Sequence, residues 1–328
     1  MIPKSPKNIH MRVPPIKIGA GYMIPMKNIN LNHMKNLSRR EFIRTSSLSS
    51  IMLASSAGAI LNSCSSSGWQ IGCYTRAWGK RNYLEALDGI VEAGYNYVGL
   101  STHDKGRVVD RDSPPEFAIT VGEEIRKRGL KILSLSGGSF DPTVSVDEGI
   151  AQLKRLIDNS VHCGSSNIQI NDIGSMRQPE LEPNYYKVIA ECCDYGVEKG
   201  VSISLKPHGS TGAQCRAHVD RIGHKNLKLW YDPGNVMFFS AGKVNPVEDA
   251  EALDGVVVGM AVKDFRLPRT VMVTPGTGLV DFPALIPRLE KGGFQSGPLI
   301  IECVEEGDYS FIKNEAIKAR EFIEGIVS

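Results

Sequence analysis

The chain has 328 residues, of which 41% are hydrophobic and 23% charged, and its formal net charge is +2. That is ordinary globular composition, enough for one large domain or two small ones. Near-neutral charge gives no electrostatic case for nucleic acid, and no stretch reaches the roughly 20 apolar residues of a membrane span.

The first element in chain order is a leader, residues 1–68, read as disordered outside its signal. Ser38, Arg39, Arg40, Glu41, Phe42, Ile43 and Arg44 form a twin-arginine export motif, followed by a small and apolar run over 45–60. Leu61, Asn62, Ser63 and Cys64 then resemble a bacterial lipobox, which makes Cys64 the expected site of lipidation and the mature N-terminus. Ser65 to Gly68 is a flexible tether, and Met26 or Met34 is a plausible start. The expected location is therefore outside the cytoplasm, in the periplasm or cell envelope, with membrane contact only through the lipid on Cys64.

Cleavage before Cys64 leaves 265 residues, 63 fewer than the full 328, close to the roughly 250 of a (β/α)8 barrel. Apolar strand runs are predicted at 70–74, 97–100, 131–135, 167–171, 202–206, 228–231, 256–262 and 299–302. Helical periodicity falls between and after them, at 83–92, 115–128, 146–163, 184–199, 215–223, 246–252, 283–291 and 309–326. Gly94, Gly129, Gly164, Gly200 and Gly293 punctuate helix ends, while Pro115, Pro246 and Pro283 open helices. Short apolar runs without alternation suit strands buried on both faces. Eight of them alternating with helices predict a single α/β domain over 69–328, a (β/α)8 TIM barrel. The first strand is not followed by G-x-G-x-x-G, so no nucleotide cofactor is expected. Cys73, Cys163, Cys192, Cys193, Cys215 and Cys303 lack zinc spacing and are expected to be buried thiols.

Four runs in the second half end in charged or polar residues: Lys206-Pro207-His208, Asp232-Pro233-Gly234-Asn235, Lys263-Asp264 and Glu302. Barrel enzymes build their sites at this rim. His208 sits on a polar loop, open to acid–base, ligand or hydroxyl contact. His103 and Trp78, after the second and first strands, are candidate substrate contacts, Trp78 either stacking on a sugar face or packing in the core. Of Lys263 and Asp264, one is expected to face the site and the other the surrounding shell. The loop Pro275-Gly276-Thr277-Gly278 is read as shaping the turn before the next helix.

The segments 229–235, Val262-Lys263-Asp264-Phe265, 275–282, Gly292-Gly293-Phe294 and 298–302, in this order and spacing, resemble the xylose-isomerase-like TIM barrels. That group holds sugar isomerases, ketose 3-epimerases, inosose dehydratases and an endonuclease branch, and the resemblance runs from about Trp69 to the C-terminus. It implies a divalent ion, Mn or Mg, held by Glu, Asp, His and Glu at the ends of strands five to eight, with the glutamates moving protons at carbon. Asp232 and Glu302 match two of these ligands. Lys206 stands at the first glutamate's place, Ala261 at the histidine's, and Asn235 where a further histidine is often found. An ammonium 4 Å from a dication is repelled by about 8 kcal/mol at an effective dielectric near 20. Either the metal has shifted onto His208, Asp232 and Glu302, or it is gone and Lys206 supplies the positive charge.

The resemblance implies an isomerase or epimerase acting on a sugar or sugar derivative, and the export motif implies an unphosphorylated one. Glu302 is the base that abstracts a proton next to a carbonyl, with Lys206 and His208 assisting and His103, Trp78, Lys263 and Asn235 contacting the carbohydrate. A lyase or dehydratase, and a carbohydrate-binding lipoprotein without chemistry, are the alternatives.

Overall fold

The computed structural model describes residues 68–328, so the export motif and Cys64 lie outside the described residues. In chain order the elements are β1 (Trp69–Tyr74), α1 (Tyr83–Glu92), β2 (Tyr97–Leu100), β3 (Thr102–His103), β4 (Gly106–Arg107), α2 (Pro115–Lys127), β5 (Lys131–Leu135), α3 (Val146–Cys163), β6 (Asn167–Asn171) and α4 (Glu182–Lys199). They continue with β7 (Ser202–Lys206), α5 (Gly212–Ile222), β8 (Leu227–Tyr231), α6 (Pro233–Ser240), α7 (Pro246–Asp249), β9 (Val257–Val262), α8 (Phe282–Lys291), β10 (Gly297–Ile301) and α9 (Tyr309–Val327).

Eight of the strands close into a barrel in the order β1-β10-β9-β8-β7-β6-β5-β2, every neighbouring pair parallel. Each helix returns the chain to the opposite end, so all strand C-termini share one rim. Helix ends are fixed locally. Asn82, Ser145, Thr211 and Asp308 accept from the third backbone N–H of their helices, Thr211 within a full capping box with Gln214. Gly164 and Gly200 end α3 and α4 in the left-handed region that a side chain would resist.

The barrel interior is filled by Tyr74, Trp230, Ala261 and Ile300, with Gly99 and Gly259 leaving room for the two rings. Beneath them Gln169, Ser134, Asn167 and Ser204 bond to one another, so the interior polar groups are largely satisfied. The six described cysteines are free and buried. Burial pushes Cys163 and Cys193 up to about 11 and Cys192 to about 12, so these thiols stay protonated.

The structure departs from the sequence reading in three places. Residues 233–240, where no helix was expected, form α6, started by Asp232 as its cap. The run 246–252 divides into α7 and a 3-10 turn over Ala250–Leu253. A short antiparallel hairpin, β3 with β4, follows β2 and was not expected.

Candidate active site

Lys206 is the last residue of β7, and Asp232, Lys263 and Glu302 each follow the last residue of β8, β9 and β10. Adjacent parallel strands therefore bring four charged groups to one rim, all at most 3% exposed. Lys206 Nζ lies 3.0 Å from Asp232 Oδ2 and donates to Glu302 Oε2. Lys263 Nζ lies 2.8 Å from Asp232 Oδ2 and 2.7 Å from Glu302 Oε1. Each ammonium thus bridges both carboxylates, a closed quartet that balances its own charge.

The quartet is braced from outside. Lys263 also donates to Asn235 Oδ1 at 3.0 Å, while Asn235 Nδ2 donates to the Pro207 carbonyl at 2.8 Å. Asp232 Oδ1 accepts the Asn235 backbone N–H at 2.9 Å, so the start of α6 fixes the carboxylate. Burial favours the protonated form of Glu302, but Lys206, Lys263 and Arg76 together outweigh it and hold the carboxyl well below the usual range. Burial likewise favours neutral Lys263, and Asp232 and Glu302 overcome it, holding its proton more firmly than in water.

Above the quartet is a cavity of about 160 Å³, bounded on the charged side by Lys206, Lys263 and Glu302 and on the apolar side by Phe238 and Phe239 of α6. His208 reaches the same cavity. Its Nδ1 is 2.8 Å from Ser175 Oγ, its ring lies against Phe239, and its backbone N–H donates to Asp172. Burial, then the Lys206 and Lys263 charges, push His208 below the usual imidazole range, so the ring is neutral at pH 7.

Lys206, Asp232, Asn235, Lys263 and Glu302 therefore come together, and His208 joins them around the cavity. Trp78 does not: it is fully buried against Tyr309 and the backbone of Gly89, a packing residue. His103 does not reach the cavity either. Its neighbour Thr102 lines the wall, and alternation along β3 turns His103 away, against Asp104 and Tyr83. Asp264 accepts the backbone N–H groups of Phe265, Gly276, Gly278 and Val280, so it builds the glycine loop while Lys263 faces the cavity.

Two charged cavity residues were missed. Arg76 follows the end of β1, where the strand-end rule applied to the later strands would have found it; Arg107 sits in the two-residue strand β4, too short to leave a periodic signal.

A family model described as xylose isomerase-like TIM barrel matches residues 87–325. The chain belongs to this family. An inosose dehydratase of Glaesserella parasuis serovar 5 (strain SH0165) is 25% identical over 154 residues, 40% of this chain and 51% of that protein. The chain thus matches about half the length of that curated relative. The solved structure of a D-psicose 3-epimerase in the presence of D-fructose shares the fold at TM-score 0.63 and 12% identity, covering 79% of this chain and 99% of that one. That of the IOLI protein with a binding zinc atom does so at TM-score 0.61 and 20% identity, covering 79% and 98%. The family fold is thus one used by sugar epimerases.

The residues present do not fit a divalent ion at the rim. Asp232 and Glu302 are already engaged by two ammonium groups, which would face the ion at close range. Ala261, in place of a histidine, is packed with Tyr74 and Trp230. His208, the alternative ligand, is tied to Ser175, and among the described residues His, Cys, Asp and Glu form no cluster of three that could hold a metal ion.

Proposed function

We propose that this family member is a carbohydrate epimerase or isomerase that moves a proton next to a carbonyl, with Lys206 and Lys263 supplying the positive charge. The observation that carries this reading is the pair of ammonium groups held between Asp232 and Glu302 on the floor of the cavity. Substrate carbonyl and hydroxyl oxygens accept hydrogen bonds from the two ammonium groups, which loosens their hold on Glu302 and makes it a better base. Glu302 takes the proton from the carbon beside the carbonyl, and the C–H electron pair moves through the new C=C bond onto oxygen. The resulting enediolate oxygen faces fixed positive charge, which stabilises it as it forms. Delivery of a second proton to the opposite face, with Lys206 or His208 as the donor from the cavity wall, gives an epimer, and return of the Glu302 proton to the neighbouring carbon, with transfer of the hydroxyl proton, gives an isomer. Phe238 and Phe239 offer an apolar wall for the sugar's C–H face. The export motif supports action on an unphosphorylated sugar at the cell envelope, where phosphosugars are scarce.

The 25% identity to an inosose dehydratase favours a second outcome of the same proton abstraction, in which hydroxide leaves the next carbon. Incubating the protein with a ketose and aldose panel in deuterated water distinguishes the readings. Deuterium at the carbon beside the carbonyl, persisting with EDTA and lost in Glu302→Gln, is the expected result, and product analysis separates epimer from dehydrated sugar. Binding without exchange would make the protein a carbohydrate binder. Loss of exchange with EDTA, restored by Mn, would overturn the role given to the lysines.

A further inference from the structure

The quartet leaves two cavity cations unmatched. Arg76 and Arg107 line the same cavity as Lys206, Lys263 and Glu302. Together these cations number four, against Glu302 in the wall and Asp232 directly behind it, a surplus of two positive charges. The lysines account for both carboxylates at 3.0 Å or closer, whereas Arg76 comes only to 3.6 Å from Glu302 Oε1. Among the described residues, Arg107 has no carboxylate within ion-pair distance. Its one hydrogen bond, at 2.5 Å, goes from Nη1 to the Ser136 carbonyl.

Arg107 is placed there by the hairpin. Thr102 and Arg107 are cross-strand partners on β3 and β4, so they share a face, and both line the cavity. On its other side the guanidinium packs on bare backbone: a Cβ added at Gly138 would come within 2.8 Å of Arg107 Nε. Ser136 and Gly138 hold the planar fork in position and leave its remaining donors free. A half-buried guanidinium with no carboxylate partner carries a cost that an anion arriving with the ligand offsets.

We propose that Arg76 and Arg107 form an anion-recognition subsite, and that the substrate is a sugar acid whose carboxylate they bind while its carbonyl carbon faces Glu302. This deepens the proposed function and rests on it for the identity of the occupant as a sugar. A fork of parallel N–H donors matches a carboxylate edge, and a phosphate would offer the same oxygens. The unphosphorylated substrate expected from the export motif favours the carboxylate.

The test is direct binding to the purified full-length protein by calorimetry. The probes are D-glucose and D-galactose, their C6-oxidised forms D-glucuronate and D-galacturonate, and their 6-phosphates. At least one uronate is expected to bind about tenfold or more tighter than its parent hexose. Arg107→Gln is expected to weaken that uronate by about 10- to 100-fold, the worth of a charged hydrogen-bond pair, with hexose affinity unchanged. Arg107→Lys should recover part of the loss, and Arg76→Gln should act in the same direction. Equal affinity for hexose and uronate, or no detectable uronate binding, overturns the proposal, as does a uronate preference that survives both substitutions to Gln. A 6-phosphate that binds tighter than the uronate, through the same arginines, overturns the carboxylate assignment. Because binding is read without turnover, the uronate preference is measured independently of any chemistry at Glu302. A uronate preference in the wild-type protein with no deuterium exchange would indict the catalytic reading alone.

Discussion

Lys263→Met should reveal how much the fold depends on the charged quartet. Met keeps most of the stem's volume and removes an ammonium that lies 2.8 Å from Asp232 and 2.7 Å from Glu302. At an effective dielectric near 20 each attraction is worth about 6 kcal/mol. Removing the ammonium also removes its own desolvation cost, several kcal/mol per buried ion. Asp232 keeps Lys206, and Glu302 keeps Lys206 with Arg76 farther off, so the uncompensated charge is close to one unit. The expected net loss is about 3–5 kcal/mol, as for breaking other buried pairs. For a domain of this size that lowers Tm by roughly 6–20 °C. The pH dependence is more specific. Glu302's folded carboxyl is held below 4.5, so the stability from its pairing is full above the unfolded pKa and is lost as pH falls through the folded one. The variant lacks one of the cations that hold it down. Its deficit should be largest near neutral pH and should narrow as pH drops below the ordinary carboxylate range. On the alkaline side, Lys263's folded pKa lies above the ordinary 10.5, so wild type's advantage is full below that ordinary value and is lost progressively as pH rises from it through the folded one. Denaturant unfolding at several pH values, with circular dichroism as the readout, measures both. A loss under about 1 kcal/mol at pH 7, or a deficit that ignores pH, would refute the reasoning.

The same depressed carboxyl sets the acid limb of turnover. Because kcat/KM reports the free enzyme, it should stay flat from neutral pH down to the ordinary carboxylate range, and an acid limb centred near neutrality would show that another group is the base. Gly89→Ala should destabilise the barrel although alanine favours a helix by up to about 1 kcal/mol. The added Cβ would lie 2.2–2.6 Å from ring atoms of fully buried Trp78, and such overpacking costs about 1–3 kcal/mol; thermal unfolding should register the drop, and a rise would show that Trp78 can move.

Most barrel strands were legible in the sequence because burial on both faces leaves a continuous apolar run, and punctuation by glycine and proline marked the helices between them. What escaped was what lacks a period. The hairpin of β3 and β4 contributes two residues per strand, below the length at which alternation can be read, and with it went Arg107. The helix α6 was hidden because Asp232-Pro233-Gly234 is equally good turn chemistry. At the site, strand ends located Lys206, Asp232, Lys263 and Glu302, but not the closed arrangement in which both lysines bridge both carboxylates. Whether Lys263 or Asp264 faces the cavity depends on backbone geometry just past β9. Trp78 was left between two roles for a related reason. A tryptophan after a strand can stack on a ligand or fill the core, and only the bare backbone of Gly89 in α1 decides that it fills the core.

Replacing a dication by two lysines changes more than the ligand set. A metal can be withdrawn, leaving like-charged carboxylates that repel one another, so a metal site has an empty form with its own electrostatics. Here the counter-charge is carried on β7 and on the residue after β9, and it cannot leave without unfolding the rim. The positive charge is also divided. Lys206 and Lys263 each contact both carboxylates, so a substrate oxygen can draw on one ammonium while the other still holds Glu302 ionised. That division suits a base that must remain a carboxylate until substrate arrives and gain basicity only afterwards. It also makes the two lysines inequivalent. Lys263 is anchored by Asn235 as well, through 3.0 Å to Oδ1, whereas Lys206 has only the carboxylates and the face of Tyr74. In the proposed reaction Lys206, with fewer competing partners, is the ammonium freer to turn toward the enediolate oxygen, and Lys263 the one that keeps the pair of acids together.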